Sequence, residues 1–272
     1  MMLKKLVLGS ITALVLAACG GDNGSAAATQ TGAQGGSLIE RINNKGTITV
    51  GTEGTYAPFT YHDESGKLTG YDVEVTRAVA DKLGITVEFK ETQWDSMMAG
   101  LKAERFDVVA NQVGLTTPER RATFDRSEPY SWSGAVLVAR KDSTITSIEE
   151  IAGIKAAQSL TSNYGELATA ANAEIVPVDG LAQSLTLVEQ KRAEVTLNDE
   201  LAVLDYMKKN PNAGIKIVWS APAEEKVGSG LIVNKGNDEA VAKFSQAINE
   251  LKADGTLQKL GEQFFGKDIS VK

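Results

Sequence analysis

The chain has 272 residues, 42% of them hydrophobic and 23% charged, with a net charge of −7. That composition suits a globular protein of one large domain or two moderate ones, and its acidic balance repels phosphate polymers, so no nucleic-acid partner is expected. A single Cys and a single His exclude an internal disulfide and a zinc site built from thiolates or imidazoles, and no metal or cofactor is expected.

Lys4 and Lys5 precede an apolar run from Leu6 to Leu16, followed by Ala17, Ala18 and Cys19. A positive segment, a short apolar segment and small residues at the cut predict a secretory signal over residues 1–18, and the run is too short to span a bilayer. Leu16-Ala17-Ala18-Cys19 also resembles the lipobox of bacterial lipoproteins. An ordinary cleavage site with an incidental Cys is the plainer alternative, but the only Cys of the chain stands at the one position a lipobox requires. Acyl chains on Cys19 would hold the protein to a membrane, each buried CH₂ adding about 0.8 kcal/mol. Residues 19–36, rich in Gly, Ala, Ser, Thr and Gln, read as a flexible tether. An extracytoplasmic, membrane-anchored domain is expected.

From Thr47 to Glu53 the alternation around Ile48 and Val50 predicts a strand, and Glu64-Ser65-Gly66-Lys67 predicts a hairpin turn. Asp72 is placed to cap a helix whose apolar face is Val75, Ala78, Val79 and Leu83, ended by Gly84. Ile85, Val87 and Phe89 alternate as a strand, Trp94, Met97, Met98 and Leu101 repeat at helical spacing, and Phe106 to Ala110 is a short apolar strand. This β-α-β-α-β order implies a mostly parallel sheet flanked by helices. The pattern restarts after Ser133-Gly134. Strands near 135–139, 154–157, 175–178 and 194–197 alternate with helices around Tyr164, Leu185 and Leu201, and Ser147 with Glu150 forms a capping box. A longer helix carries Val241, Phe244, Ile248 and Leu251 to Gly255, and a last one runs from Thr256 to near Gly266. The expected fold class is α/β in two units of similar size.

Recognisable catalytic motifs are missing. There is no Gly-x-Ser-x-Gly elbow, phosphate loop or dinucleotide glycine pattern, and His62 sits beside Asp63 and Glu64 in a polar hairpin, where a solvated role fits better than a base. Carboxylate chemistry is the enzymatic route left open.

Several segments together resemble the polar amino-acid family of extracytoplasmic solute-binding proteins, the receptors of ABC importers. They are Gly51-Thr52-Glu53-Gly54-Thr55-Tyr56-Ala57-Pro58-Phe59, Leu68-Thr69-Gly70-Tyr71-Asp72-Val73-Glu74, Phe106-Asp107-Val108-Val109-Ala110-Asn111-Gln112-Val113, Thr117-Pro118-Glu119-Arg120, Ser127-Glu128-Pro129-Tyr130, Leu197-Asn198-Asp199 and Asp254-Gly255-Thr256-Leu257. Each is weak alone; their order and spacing carry the likeness from about Leu38 to the C-terminus. The resemblance implies a two-lobed, Venus-flytrap fold with two hinge crossovers, residues 37–133 and 230–272 forming lobe 1 and residues 134–229 forming lobe 2. It implies a monomeric, non-enzymatic receptor that closes on a small amino acid and presents it to a permease.

The resemblance also assigns roles. At its motif position Arg120 grips the ligand α-carboxylate with a two-pronged fork, although by itself it reads as a surface residue near Glu119. Asp199 binds the α-ammonium, and by itself reads as a helix N-cap. Thr161, Ser162 and Asn163 stand at a helix start, where free N–H groups favour the carboxylate. Tyr56 and Trp94 line the side-chain pocket, with core packing an equal reading for Trp94. Glu53 is an acidic pocket position. Between Gln112 and Arg120 the spacing is one residue longer than usual, so Gly114 falls where a hydroxyl often assists, and Thr116 is the candidate to supply it instead. Gln93-Trp94-Asp95-Ser96-Met97, Asn111-Gln112-Val113 and Ser162-Asn163-Tyr164 are most similar to cystine-binding receptors. A glutamine or other polar amino-acid receptor, a dehydratase or lyase on the same fold, and a surface sensory protein are the alternatives.

Overall fold

A computed structural model describes residues 36–272, so the signal segment, Cys19 and nearly all of the tether lie outside the described residues. The first described element, α1 (Leu38–Lys45), is a helix that buries Leu38, Ile39 and Ile42 on one face. Its signal is a capping box: the Ser37 hydroxyl accepts from the Glu40 N–H, and the Glu40 carboxylate accepts from the Ser37 N–H at 2.7 Å. Strand β1 (Thr47–Thr52) follows, then a meander of β2 (Thr55–Tyr56), β3 (Thr60–His62) and β4 (Leu68–Thr69). The Asp63 carboxylate makes its turn by accepting from the Ser65 and Lys67 N–H groups. Next come α2 (Tyr71–Leu83), β5 (Thr86–Glu91), α3 (Trp94–Lys102), β6 (Val108–Val109), α4 (Pro118–Thr123), β7 (Phe124–Arg126) and β8 (Ser131–Ser133).

The second unit holds β9 (Ala135–Arg140), β10 (Lys155–Gln158), α5 (Asn163–Ala170), β11 (Glu174–Pro177), α6 (Leu181–Glu189), β12 (Val195–Asp199), α7 (Glu200–Lys209) and β13 (Ile215–Ser220). The chain returns through β14 (Val227–Ser229) and β15 (Ile232–Asn234), and finishes with α8 (Asp238–Ala253) and α9 (Thr256–Phe265). Among the described residues no helix is long and apolar enough to cross a membrane.

Two five-stranded sheets result, in the orders β5-β1-β6-β15-β7 and β11-β10-β12-β9-β13. In each, one strand runs against four that share a direction. The reversed strands are β15 and β9, the first to enter each sheet after the chain crosses between them. The crossings themselves, β8 and β14, pair antiparallel, with Ser131 opposite Ser229 and Ser133 opposite Val227. Helices cover the sheets, so central strands are buried along their length. Val136 to Ala139 in β9 are all fully buried, the continuous apolar run of a two-sided strand. Helices α2, α8 and α9 close the first core, where the Phe265 ring meets Phe59 tilted at 5.3 Å and Tyr71 edge-on at 5.5 Å.

Two expected caps are corrected. Gly70, not Asp72, is the N-cap of α2; Asp72 is fully buried, its carboxylate turned to other partners described below. Ser147 makes no side-chain cap, because Ile148–Ile151 winds as a single 3₁₀ turn too short for the reciprocal geometry, and Glu150 accepts from the Thr146 N–H at 2.8 Å instead.

Candidate functional site

The carboxyl ends of β1, β6, β10 and β12 face a crevice between the two sheets, the usual ligand position in open α/β sheets. On the first lobe, β1 delivers Glu53 and β6 delivers Asn111 and Gln112. Glu53 and Asn111 bind each other reciprocally: the Glu53 N–H donates to Asn111 Oδ1 at 2.8 Å and Asn111 Nδ2 donates to Glu53 Oε2 at 2.6 Å. Burial pushes the Glu53 carboxyl up to about 7, against the Asn111 bond and with help from the Asp95 charge. Gln112 is held at a left-handed φ of 51°. Such a conformation costs a non-glycine residue about 1–3 kcal/mol, and two bonds to buried Asp72 offset it, from the Gln112 N–H and from Nε2, each 2.6 Å. Burial lifts the Asp72 carboxyl to about 7. The Ser131 hydroxyl in β8 donates to Gln112 Oε1 at 3.0 Å, tying the crevice wall to a crossing strand.

Trp94 opens α3 with its indole N–H buried and unpartnered. Arg120 lies on α4, capped by Thr117 and opened by Pro118. It is only 7% exposed. Its guanidinium donates to the Gly114 carbonyl at 3.2 Å and lies 5.7 Å from the Trp94 ring centroid. Burial pushes its pKa below the ordinary arginine value.

From the second lobe come the start of α5 and the end of β12. Ser162 caps α5, its hydroxyl accepting from the Gly165 N–H at 2.9 Å. Asp199 caps α7 by accepting from the Leu201 N–H at 2.8 Å, and also takes the Ser133 hydroxyl at 2.9 Å and the Tyr164 hydroxyl at 3.2 Å. It is fully buried by its neighbours, which lifts its carboxyl to about 6 despite these bonds. The lobes meet directly: the Tyr56 hydroxyl donates to Asn198 Oδ1 at 2.7 Å, and Arg120 Nη2 donates to the Thr161 carbonyl at 2.7 Å.

The crevice has a volume of about 410 Å³ including its mouth. Of the expected residues, Glu53, Tyr56, Trp94, Gln112, Ser162 and Asn163 line it. Arg120 and Asp199 stand immediately behind that lining, Arg120 against Trp94 and Asp199 against Tyr164. Three expected residues lie off it. Gly114 packs against β14, where a Cβ would run into Val227, and Thr116 borders a separate recess with its hydroxyl buried and unpartnered. Thr161 turns its hydroxyl and N–H away to Asp95. Asn111, Ser159, Tyr164 and Asn198 also line the crevice and escaped selection as site residues. Their signal was present: Asn111 precedes Gln112, and Asn198 precedes Asp199, at strand ends where Asn reads first as a turn residue. A cationic fork, buried carboxylates and a helix N-terminus around an aromatic wall can together hold a zwitterion.

Residues 48–267 match the model of the bacterial extracellular solute-binding proteins, family 3. The chain is 47% identical to the L-cystine-binding protein TcyA of Bacillus subtilis strain 168, over 99% of this chain and 98% of that one. It is 86% identical to the L-cystine solute receptor of Neisseria gonorrhoeae, solved in the unliganded open conformation, over 87% of this chain and all of that one, at a TM-score of 0.60. An ancestral arginine-binding protein bound to glutamine superposes at a TM-score of 0.76 with only 35% identity, covering 82% of this chain and 99% of that one.

Proposed function

This chain belongs to family 3 of the bacterial extracellular solute-binding proteins, and we propose that it captures cystine or cysteine between its lobes for an ABC importer. The observation that carries the reading is the pairing of a buried cation from one lobe with a buried anion from the other, Arg120 and Asp199, behind the wall of one interlobe crevice. An amino acid offers the complementary pair of charges. In this reading Arg120, with the start of α5, takes the carboxylate, while Asp199 takes the ammonium. The flat faces of Tyr56 and Trp94 suit a sulfur chain, since sulfur–aromatic contacts contribute about 0.3–1.5 kcal/mol. Glu53 is then free to meet the ammonium of a second headgroup. The likeness to two cystine-binding receptors supports the ligand.

The lobe boundaries fit residues 37–133 with 230–272, and residues 134–229, with β8 and β14 as the hinge. Charge-assisted hydrogen bonds contribute about 1.5–3 kcal/mol each. Three or four of them, offset by closure and ordering, give a micromolar dissociation constant, near −8 kcal/mol. The receptor acts as a monomer, held to the membrane by acylated Cys19, with a permease as partner. Competition calorimetry tests the ligand: cystine or cysteine should bind at least as tightly as any other amino acid. Glutamine binding ten-fold tighter than both would overturn the cystine assignment, and no binding of any amino acid would overturn the receptor.

A further inference from the structure

Asp95 is the second residue of α3, next to Trp94, yet it lies outside the crevice lining. Its carboxylate reaches across to the loop between β10 and α5 and accepts from the Thr161 N–H at 2.9 Å, the Thr161 hydroxyl at 2.8 Å and the Leu160 N–H at 3.3 Å. The Thr161 carbonyl accepts from Arg120. Every polar atom of Thr161 is therefore engaged by the opposite lobe, and none is left for a ligand. Leu160 beside it is 60% exposed, which places these contacts on the outer rim of the cleft. The contacts can exist only when the lobes are shut.

We propose that Asp95 and the 160–161 loop form a latch that biases the receptor toward closure and so scales its affinity for every ligand alike. A ligand that binds only the closed form has an apparent dissociation constant divided by the closed fraction. A contact that shifts this fraction without touching the ligand multiplies all affinities by one factor. A specificity residue changes some affinities and spares others. Carboxylate acceptors make the stronger hydrogen bonds, so three of them at the rim can hold a substantial share of the closed population. Asp95 is thus a positioning residue, and Thr161 belongs to the latch, not to the ligand shell. The affinity arm of this proposal rests on the receptor reading; the closure arm does not.

Two variants test it. Asp95→Ala removes all three acceptor contacts, and Thr161→Val removes only the hydroxyl. Calorimetry is run with cystine, cysteine and glutamine, and small-angle X-ray scattering with and without cystine. For Asp95→Ala the dissociation constant should rise about ten-fold for each ligand that binds the native protein. Thr161→Val should give a smaller rise, uniform across ligands. Without ligand, Asp95→Ala should scatter as a more extended particle than the native protein, and saturation should bring the two together. Unchanged affinities together with unchanged scattering would overturn the latch. Loss confined to one ligand would also overturn it, because Asp95 would then be reading the ligand itself. If Asp95→Ala fails to fold, Thr161→Val carries the same comparison. If no amino acid binds the native protein, the receptor reading fails while ligand-free scattering still decides the latch.

Discussion

Replacing Asp199 with Asn should separate stability from binding. Ionising the native carboxyl inside the domain, with its value lifted from 3.8 to about 6, costs about 3 kcal/mol more than ionising it in water, at 1.36 kcal/mol per unit. An Asn is nearly isosteric. Its oxygen can still accept from the Leu201 N–H, the Ala202 N–H and the Ser133 hydroxyl, and its amide can donate to the Tyr164 oxygen, the four partners the carboxylate holds now. The sign follows from the raised value: native stability from this group is full below the unfolded value near 4 and is lost as pH rises through about 6. At pH 8 the ligand-free variant should therefore be more stable than the native protein, by up to about 3 kcal/mol. At pH 4 the two should coincide. Binding should move the other way, with affinity at pH 8 falling at least about 100-fold because a desolvated ammonium loses its counter-charge. Urea denaturation at both pH values, followed by calorimetry at pH 8, measures both effects. A variant that is less stable at pH 8, or that keeps its affinity, would refute the reasoning.

Arg120→Ala should weaken ligand binding by at least about 3 kcal/mol, since the ligand carboxylate loses its main partner; near-native calorimetry would remove Arg120 from the clamp. Ligand affinity should fall as pH drops from 8 to 5, because Glu53 and Asp199 take up protons near 7 and 6 and no longer offset an ammonium; a flat titration in that window would contradict the assignment. Gly165→Ala should destabilise the domain by about 1–3 kcal/mol, since the new Cβ would stand 2.5 Å from the Ser159 carbonyl at the start of α5; an unchanged urea midpoint would show that the helix start yields freely. Cys19→Ser should abolish lipid labelling and membrane retention, and a variant that still partitions with membranes would end the anchor proposal.

The two α/β units were legible because apolar periodicity reports burial, and here sheets and helices are buried where that pattern says; the return near Ser229 came only with the family resemblance, since β14 and β15 have three residues each, too short for a period to show. Local caps were legible where one residue decides them, as at Thr117, Ser162 and Asp199. What the sequence could not show is partnership at a distance. Asp72 looked like a helix cap because nothing nearby announces Gln112, forty residues on, as the taker of its charge. Thr161 looked like a ligand contact for the same reason: Asp95, which claims it, lies in the other lobe. Gly114 and Thr116 were drawn in by a motif spacing that this chain does not keep. In the structure the Gly114 carbonyl holds Arg120, so that segment supports the clamp through its backbone.

The paired crossing strands have a mechanical consequence. Helices α1 and α8 pack with the first sheet and α9 packs on α2 and α8, so the second unit is an insertion whose entry and exit, β8 and β14, are bonded side by side. The C-terminal end reaches that same crossing: the Trp132 N–H in β8 donates to the Ile269 carbonyl at 2.8 Å, and Lys272 Nζ donates to the Glu224 carbonyl at 2.8 Å. A pull on the C-terminal end therefore strains the pivot directly, whereas a pull that enters at α1 is spread through the first sheet before it reaches the crossing strands.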